Sequence, residues 1–220
     1  ITILAPFSID AYIPASVDIA ISLQTSENLV QLSIAIFLLG FSMGPLIFGP
    51  LSDAFGRRKL IYLSLLMFSL FSLLCCFSFN IYLLILFRFF QAVSGSVSTV
   101  CGRAAIADLL SGNELAKKYS LLGLILTIAP ILAPIIGSWI NEIFGWRYIF
   151  IFMTAFGLFF VSISFIFIPE TLEYDKRIKF SFKGVLSNYL LILKNKTAIF
   201  YILFLSSSSA VFFAFLTASP

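Results

Sequence analysis

The chain has 220 residues, of which 60% are hydrophobic and only 11% charged, with 14 Lys and Arg against 10 Asp and Glu and no histidine. A soluble domain is roughly half apolar and about a quarter charged, so a water-soluble globule is excluded. The absence of histidine, with carboxylates mostly at the ends of apolar runs, argues against a zinc or other transition-metal site, and the +4 net charge is distributed between apolar runs in a way that does not suit nucleic acid.

Crossing ~30 Å of hydrocarbon takes roughly 20 apolar residues as a helix, the form that satisfies its own backbone polar groups. Seven runs of that kind follow one another: Ile1 to Ser22, Leu29 to Leu51, Lys59 to Ser78, Ile81 to Gly102, Lys118 to Ile140, Trp146 to Ile168 and Thr197 to Ala218. The first has no initiator Met and no basic flank, and Asp10 and two prolines interrupt it, so it does not suit a signal peptide. Both ends, the last at Ser219-Pro220, are expected to lie inside a longer chain. Cys75, Cys76 and Cys101 all fall within spans and are expected to be small buried apolar residues rather than a disulfide framework.

Twelve of the 14 basic residues fall in or beside the loops after spans 2, 4 and 6: Arg57, Arg58, Lys59, Arg103, Lys117, Lys118, Lys176, Arg177, Lys179, Lys183, Lys194 and Lys196. These alternate loops share one side, which the positive-inside rule makes cytoplasmic, together with the N-terminal end. The segment 169–196 is the longest and most polar connection and reads as a cytoplasmic linker close to anionic lipid. The expected organisation is a six-helix bundle over 1–168, that linker, and over 197–220 the first helix of a second bundle.

The chain resembles itself at a displacement of 89 residues. Asp53-Ala54-Phe55-Gly56-Arg57-Arg58 matches Glu142-Ile143-Phe144-Gly145-Trp146-Arg147, an acid-x-Phe-Gly-x-Arg pattern. The same offset carries span 2 onto span 5 and span 3 onto span 6. Two copies of three spans must be inverted with respect to one another, an arrangement that transporters use to build a midplane site with two-sided access.

Between spans 2 and 3 stands Gly49-Pro50-Leu51-Ser52-Asp53-Ala54-Phe55-Gly56-Arg57-Arg58-Lys59. Gly49 would permit close helix approach, Asp53 would cap a helix end, Gly56 would allow a tight turn, and the cations would hold the loop at the surface. The segment resembles the G-x-L-[SA]-D-x-x-G-R-[RK] signature of the major facilitator superfamily at every defined position. Span 1 contains Ser8-Ile9-Asp10-Ala11-Tyr12-Ile13-Pro14-Ala15, span 4 Arg88-Phe89-Phe90-Gln91-Ala92, and span 5 Ala129-Pro130-Ile131-Leu132-Ala133-Pro134-Ile135-Ile136-Gly137. Together these resemble the Bcr/CflA group of drug:proton antiporters, with Thr2 where related antiporters carry a second acid and Ala-Pro where the span 5 motif usually has Gly-Pro. The resemblance implies an all-α, polytopic fold: a six-helix bundle of two inverted repeats plus a seventh transmembrane helix. It also implies that the loop is a conformational latch of Gly49, Asp53, Gly56, Arg57 and Arg58, with Arg57 meeting an acid at the end of span 4, where Asp108 stands, and Asp53 meeting the absent half.

A carboxylate within a span normally faces protein or a water-filled cavity, because its ionised form costs several kcal/mol in hydrocarbon. Asp10, at ~12 to 18 Å below the outer surface, and Arg88, at ~11 Å, lie at similar depth on different helices and are the candidates for proton coupling. Their alternative role is a static pair that fixes packing. Asp18 is expected at the outer interface. Gln91 would hydrogen-bond substrate or cross-link helices, and Phe7, Tyr12, Phe37, Phe41, Phe87 and Phe90 would supply an aromatic wall, although most of the 27 phenylalanines must simply face lipid or pack the bundle. Small residues mark helix contacts: Gly40 and Gly44 in span 2, Gly95, Ser98 and Gly102 in span 4, and Ala129, Ala133 and Gly137 in span 5. Pro130 and Pro134 are expected to kink span 5 into a hinge or seal.

Family likeness favours efflux of small hydrophobic drugs driven by the proton gradient of the bacterial inner membrane, without a cofactor. Uptake or exchange of a small metabolite, one that Arg88 would suit if anionic, is the alternative within the same fold. A seven-helix receptor or channel is suggested by the span count alone, and no nucleophile, base and orienter occur together as an enzyme would need.

Overall fold

The computed structural model describes the backbone of residues 1–172, 174–177 and 180–218, with side chains except those of Lys176 and residues 208–218. Lys179 and the Ser219-Pro220 ending lie outside the described residues. Residues 1–178 and 179–220 form two compact units.

The first unit is helical over most of its described length. Span 1 is broken into α1 (Leu4–Asp10), a short 3-10 turn (Ile13–Ala15) and α2 (Ser16–Ser22). It is followed by α3 (Glu27–Phe55), α4 (Arg57–Cys76), α5 (Ile81–Leu109), α6 (Gly112–Phe144) and α7 (Trp146–Phe167). These make six candidate membrane crossings. Several helices outrun their apolar stretches. α6 starts at Gly112 rather than Lys118, because adding turns to a formed helix costs little until a turn residue stops it, here Ser111 in extended conformation.

The helices pack in the pattern that inversion requires. α3 lies along α5, so span 2 meets span 4; α6 lies along α1 and the adjoining turn, so span 5 meets span 1; α4 packs against α7 and α5. Exchanging the two copies of three spans exchanges the first two contacts and returns the span 3 to span 6 contact to itself. The backbone repeats as well. α3 stops at Phe55 and α4 restarts after Gly56 at φ +96°, ψ 149°; 89 residues later α6 stops at Phe144 and α7 restarts after Gly145 at φ +91°, ψ 163°. That region of φ/ψ space is essentially reserved for glycine.

The small-residue stripes are where backbones touch. A side chain at Gly40 would run into Phe89 and Ala92, one at Gly44 into Val93 and Ser96, and one at Gly137 into the Ala11 carbonyl. Gly95 and Gly102 receive Ala5 and Thr2 of span 1 in the same way. Gly49 does not follow the expectation, since a Cβ there would meet open space within the described residues. α6 continues as one helix through Pro130 and Pro134, and both prolines are half-buried. The three cysteines are buried and unpaired.

The second unit contains α8 (Phe182–Lys194) and α9 (Lys196–Ala218), the latter coinciding with the seventh apolar run.

Candidate functional site

The break in span 1 follows from one residue. Pro14 has no N–H, and in a continuous helix its partner would be the carbonyl of Asp10, four residues earlier. The ladder instead tightens, with Tyr12 donating to the Ile9 carbonyl at 3.1 Å and Ala15 to the Tyr12 carbonyl at 3.1 Å. Asp10 is thus the last residue of α1, buried at the edge of a helix break, with the Ala11 backbone pressed against Gly137 of α6.

Arg88 of α5 stands at the centre of the bundle with no exposed surface. Its Nη1 donates to the Ser8 carbonyl at 3.2 Å and to Gln91 Oε1 at 3.1 Å, and Gln91 passes the chain on to Ser72 Oγ of α4 at 2.7 Å. The guanidinium lies 4.1 Å from the Phe37 ring centroid, 4.3 Å from Tyr12 and 5.9 Å from Phe150. A cation so enclosed exchanges part of its hydration for aromatic faces. Tyr12 is itself held by Ser33 of α3 at 2.8 Å. One cluster therefore ties spans 1, 2, 3, 4 and 6 together.

Asp10 and Arg88 share this region but form no ion pair among the described residues. The reason is helical phase. Arg88 is met by the backbone carbonyl of Ser8 and by the ring of Tyr12 beyond the break, whereas the Asp10 side chain leaves α1 about 200° round from that of Ser8, which bonds Met153 of α7. The carboxylate is therefore not locked to the guanidinium.

The aromatic candidates divide. Tyr12 and Phe37 enclose Arg88, while Phe7 packs with Phe152 and Phe156 at 6.0 and 5.8 Å. Phe41 covers the small cluster of Ala5, Ile9, Phe37 and Ala92, and Phe87 backs the main core. Phe90 points outward, stacked on Phe71 at 5.1 Å. They do not form one continuous wall. A largely apolar cleft of about 300 Å³ lies instead at the Thr2 end of span 1, among Gly102, Ala105, Leu122, Phe167 and Thr171.

The α3–α4 corner gathers charge. Arg57 Nη1 donates to Asp53 Oδ1 and to Ser52 Oγ, each at 2.6 Å, and Nε donates to Asp108 Oδ2 at 3.0 Å. The Arg57 side chain is 11% exposed, Asp108 24% and Asp53 43%, so Asp53 keeps an open face. The backbone N–H of Arg57 donates to Glu170 Oε1 at 3.0 Å, and Thr171 Oγ1 adds a bond to Asp108 at 3.3 Å. Arg58 turns aside to the Tyr62 hydroxyl at 2.6 Å and the Phe165 carbonyl at 3.2 Å. Asp18 is exposed at the other end of span 1, where it accepts a hydrogen bond from Asn141 Nδ2.

Ser8, Ser72, Phe150, Ser52 and Glu170 are among the participants that sequence reasoning missed, with Ser33 and Thr171. Ser72 had a signal, since Ser64, Ser69 and Ser72 recur along an otherwise apolar span. Glu170 had another, as an acid directly after span 6 on the side of the basic loops. Ser8 acts through its carbonyl and Phe150 through its ring face, and neither is marked by residue type.

A helical bundle that crosses the membrane six times as two inverted three-helix copies, with charged groups buried at mid-depth, has the architecture of one half of a secondary carrier. The Major Facilitator Superfamily model matches residues 1–220, and the chain belongs to that superfamily. It is 36% identical over its whole length to the MFS-type transporter YdgK of Bacillus subtilis, covering 55% of that protein. It is 34% identical over 99% of its length to the bicyclomycin resistance protein homolog of Haemophilus influenzae, again covering 55%. The chain thus spans about half the length of the curated relatives it matches. Among solved structures, the human organic anion transporter MFSD10 (TETRAN) superposes with a TM-score of 0.64 at 18% identity, over 84% of this chain and 50% of the other.

Proposed function

We propose that the chain forms the first half of a proton-coupled exporter of small hydrophobic compounds, working by alternating access in the bacterial inner membrane with the Asp53 corner cytoplasmic. The observation that carries this reading is Asp10, a buried carboxylate at the break of span 1 with no ion-pair partner among the described residues. Such a group takes and releases a proton more readily than one clamped by a guanidinium. A break in a membrane helix is also where backbone geometry changes at low cost. The resistance role in the name of the Haemophilus influenzae relative supports drug as the substrate class.

Asp10 takes a proton from the outer side and releases it inside, its two forms favouring different conformations. Arg88 keeps a fixed positive charge in the bundle through Ser8, Gln91 and the aromatic cage. The Asp53–Arg57–Asp108 network closes the cytoplasmic end against the second half, and the contact of Gly137 with Ala11 lets α6 move with the break.

The test is drug accumulation in cells carrying the full-length protein, with and without an uncoupler. Asp10→Asn is expected to abolish uncoupler-sensitive efflux at normal expression; retained proton-driven efflux would sink the carrier role. A second reading, transport of a small anion, draws on Arg88 Nε and Nη2, which have no hydrogen-bond partner among the described residues. It predicts that anionic compounds, and not cationic or neutral ones, compete for transport.

A further inference from the structure

The 89-residue repeat relates more than the two corners. α3 and α6 are the least buried of the six crossings, and they correspond in detail. Gly44 falls on Ala133, both buried against a neighbouring helix; Pro45 falls on Pro134, and Leu46 on Ile135. Leu46 and Ile135 lie about 200° round their helices from Gly44 and Ala133. They are 56% and 63% exposed. Seven residues further on, and so on the same face, each helix places a carboxylate in its last turn: Asp53 where α3 ends at Phe55, and Glu142 where α6 ends at Phe144. Spans 2 and 5 run in opposite directions, so the two carboxylates stand at opposite sides of the membrane.

An anion at the C-terminal end of a helix is disfavoured by the partial negative charge of the free carbonyls. Asp53 is relieved by Arg57 of the following helix at 2.6 Å. Glu142 has no such relief. The residue that corresponds to Arg57 is Trp146, and Arg147 turns to Ser22 and the Ser78 carbonyl. Among the described residues Glu142 accepts only from Ser138, at 3.3 Å, and forms no ion pair. It lines an open cleft of about 510 Å³ with Pro14, Pro134, Ile135, Ser138 and Trp139, and Trp139 is 62% exposed. The free face of α6 therefore carries an acid that lacks a cation.

We propose that Glu142 is a latch residue on the outer side: in the conformation closed to the outside, its carboxylate pairs with a Lys or Arg at the outer end of the second half of the full-length protein. The proposal rests on the alternating-access reading. The chain spans 55% of the length of two of its relatives, so the second half is the partner that a full-length carrier brings to this face. Inversion supplies the logic. Asp53, with its own cation beside it and one side open, serves the cytoplasmic end; Glu142, with no cation of its own, takes one from across the interface. Opening either end separates one carboxylate from the second half while the other is engaged.

The test uses the full-length protein in membrane vesicles of known orientation, with Ile135→Cys or Leu46→Cys as the reporter and a membrane-impermeant maleimide added to one side. The native cysteines of this half are buried. Ile135→Cys is expected to react from the outside and Leu46→Cys from the inside, and the ratio of their initial rates follows the balance between outward-open and inward-open states. Glu142→Gln is expected to raise that ratio about two- to five-fold, the range an exposed ion pair is worth, and Asp53→Asn to lower it. High salt should shrink the Glu142→Gln effect. A ratio lowered by Asp53→Asn but unmoved by Glu142→Gln would overturn the outer latch and leave alternating access standing. A Glu142→Gln effect that high salt leaves intact would overturn the ion pair. Labelling of both reporters from one and the same side would overturn alternating access itself, and the latch with it.

Discussion

The two corners related by the 89-residue repeat share a backbone and differ in what stabilises them. At the α3–α4 corner, Gly56 is followed by Arg57, whose guanidinium bridges Asp53, Ser52 and Asp108 while its N–H engages Glu170. At the α6–α7 corner, Gly145 is followed by Trp146, which is buried and stacks edge-on against Phe150 at 6.1 Å. The charge there is displaced by one residue. Arg147 reaches the Ser78 carbonyl at 3.2 Å and Ser22 Oγ at 3.3 Å and covers the Trp146 ring at 4.2 Å. Glu142, the counterpart of Asp53, bonds among the described residues only within its own helix, accepting from Ser138 at 3.3 Å. The buried Trp146 Nε1 and Asn141 Oδ1 have no partner among the described residues. A duplicated turn has thus become a charge network at one end and an aromatic plug at the other, which teaches that the conserved element of the repeat is the glycine geometry, not the chemistry built on it.

Breaking the comparison at its strongest point means removing Arg57. Arg57→Ala leaves Asp53 and Asp108 facing one another without their cation, and the full-length protein in detergent is expected to lose about 3 kcal/mol, read as a lowered midpoint of thermal unfolding. Asp108→Asn should recover part of that loss in the Arg57→Ala background, since it removes one stranded charge; full additivity of the two changes would show that they do not interact.

The glycines come next and sharpen the shared element. Gly56→Ala and Gly145→Ala both force a side chain into a glycine-only conformation, at about 1 to 3 kcal/mol each. Gly56→Ala also drives its Cβ into Glu170, whereas Gly145 has open space beside it. The first is therefore expected to be the more destabilising, and equal midpoints would mean that the Glu170 contact is not held in the full-length protein.

The smallest effect is expected at the plug. Arg147→Ala removes an exposed hydrogen bond to the Ser22 hydroxyl and a partly buried one to the carbonyl of Ser78, and should cost about 1 kcal/mol. On the proposed export function, uncoupler-sensitive efflux by the full-length protein should survive it and fail in Arg57→Ala. Loss of transport in both would mean that the two corners act as a matched pair.

Much of this was legible in the chain because lipid leaves few solutions. Uninterrupted apolar runs force helices, the alternation of basic loops groups their ends, and an offset match in six residues exposes the duplication that the backbone at Gly56 and Gly145 then repeats. The Arg57 to Asp108 contact was reachable through the family resemblance, which implies that Arg57 meets an acid at the end of span 4, where Asp108 stands. Side-chain phase was harder. Asp10 and Arg88 are at matched depth, and depth alone suggested a pair, but the end of α1 and the break after it give Arg88 the Ser8 carbonyl and the Tyr12 ring instead. A backbone carbonyl and a ring face are the same in every sequence context, so nothing in residue type announces them.

The sequence by itself determined the membrane class, the order of the first six spans and the inverted duplication, which follow from hydropathy, charge and an internal match, and, through the resemblance of a short motif, the superfamily. Only the tertiary structure decided that Pro14 breaks span 1 directly at Asp10, that Arg88 is held by aromatic faces and a carbonyl rather than by a carboxylate, and that Glu170 joins the Arg57 network. These are facts about rotation and approach between helices, and rotation is settled by packing against neighbours that are far away in the chain.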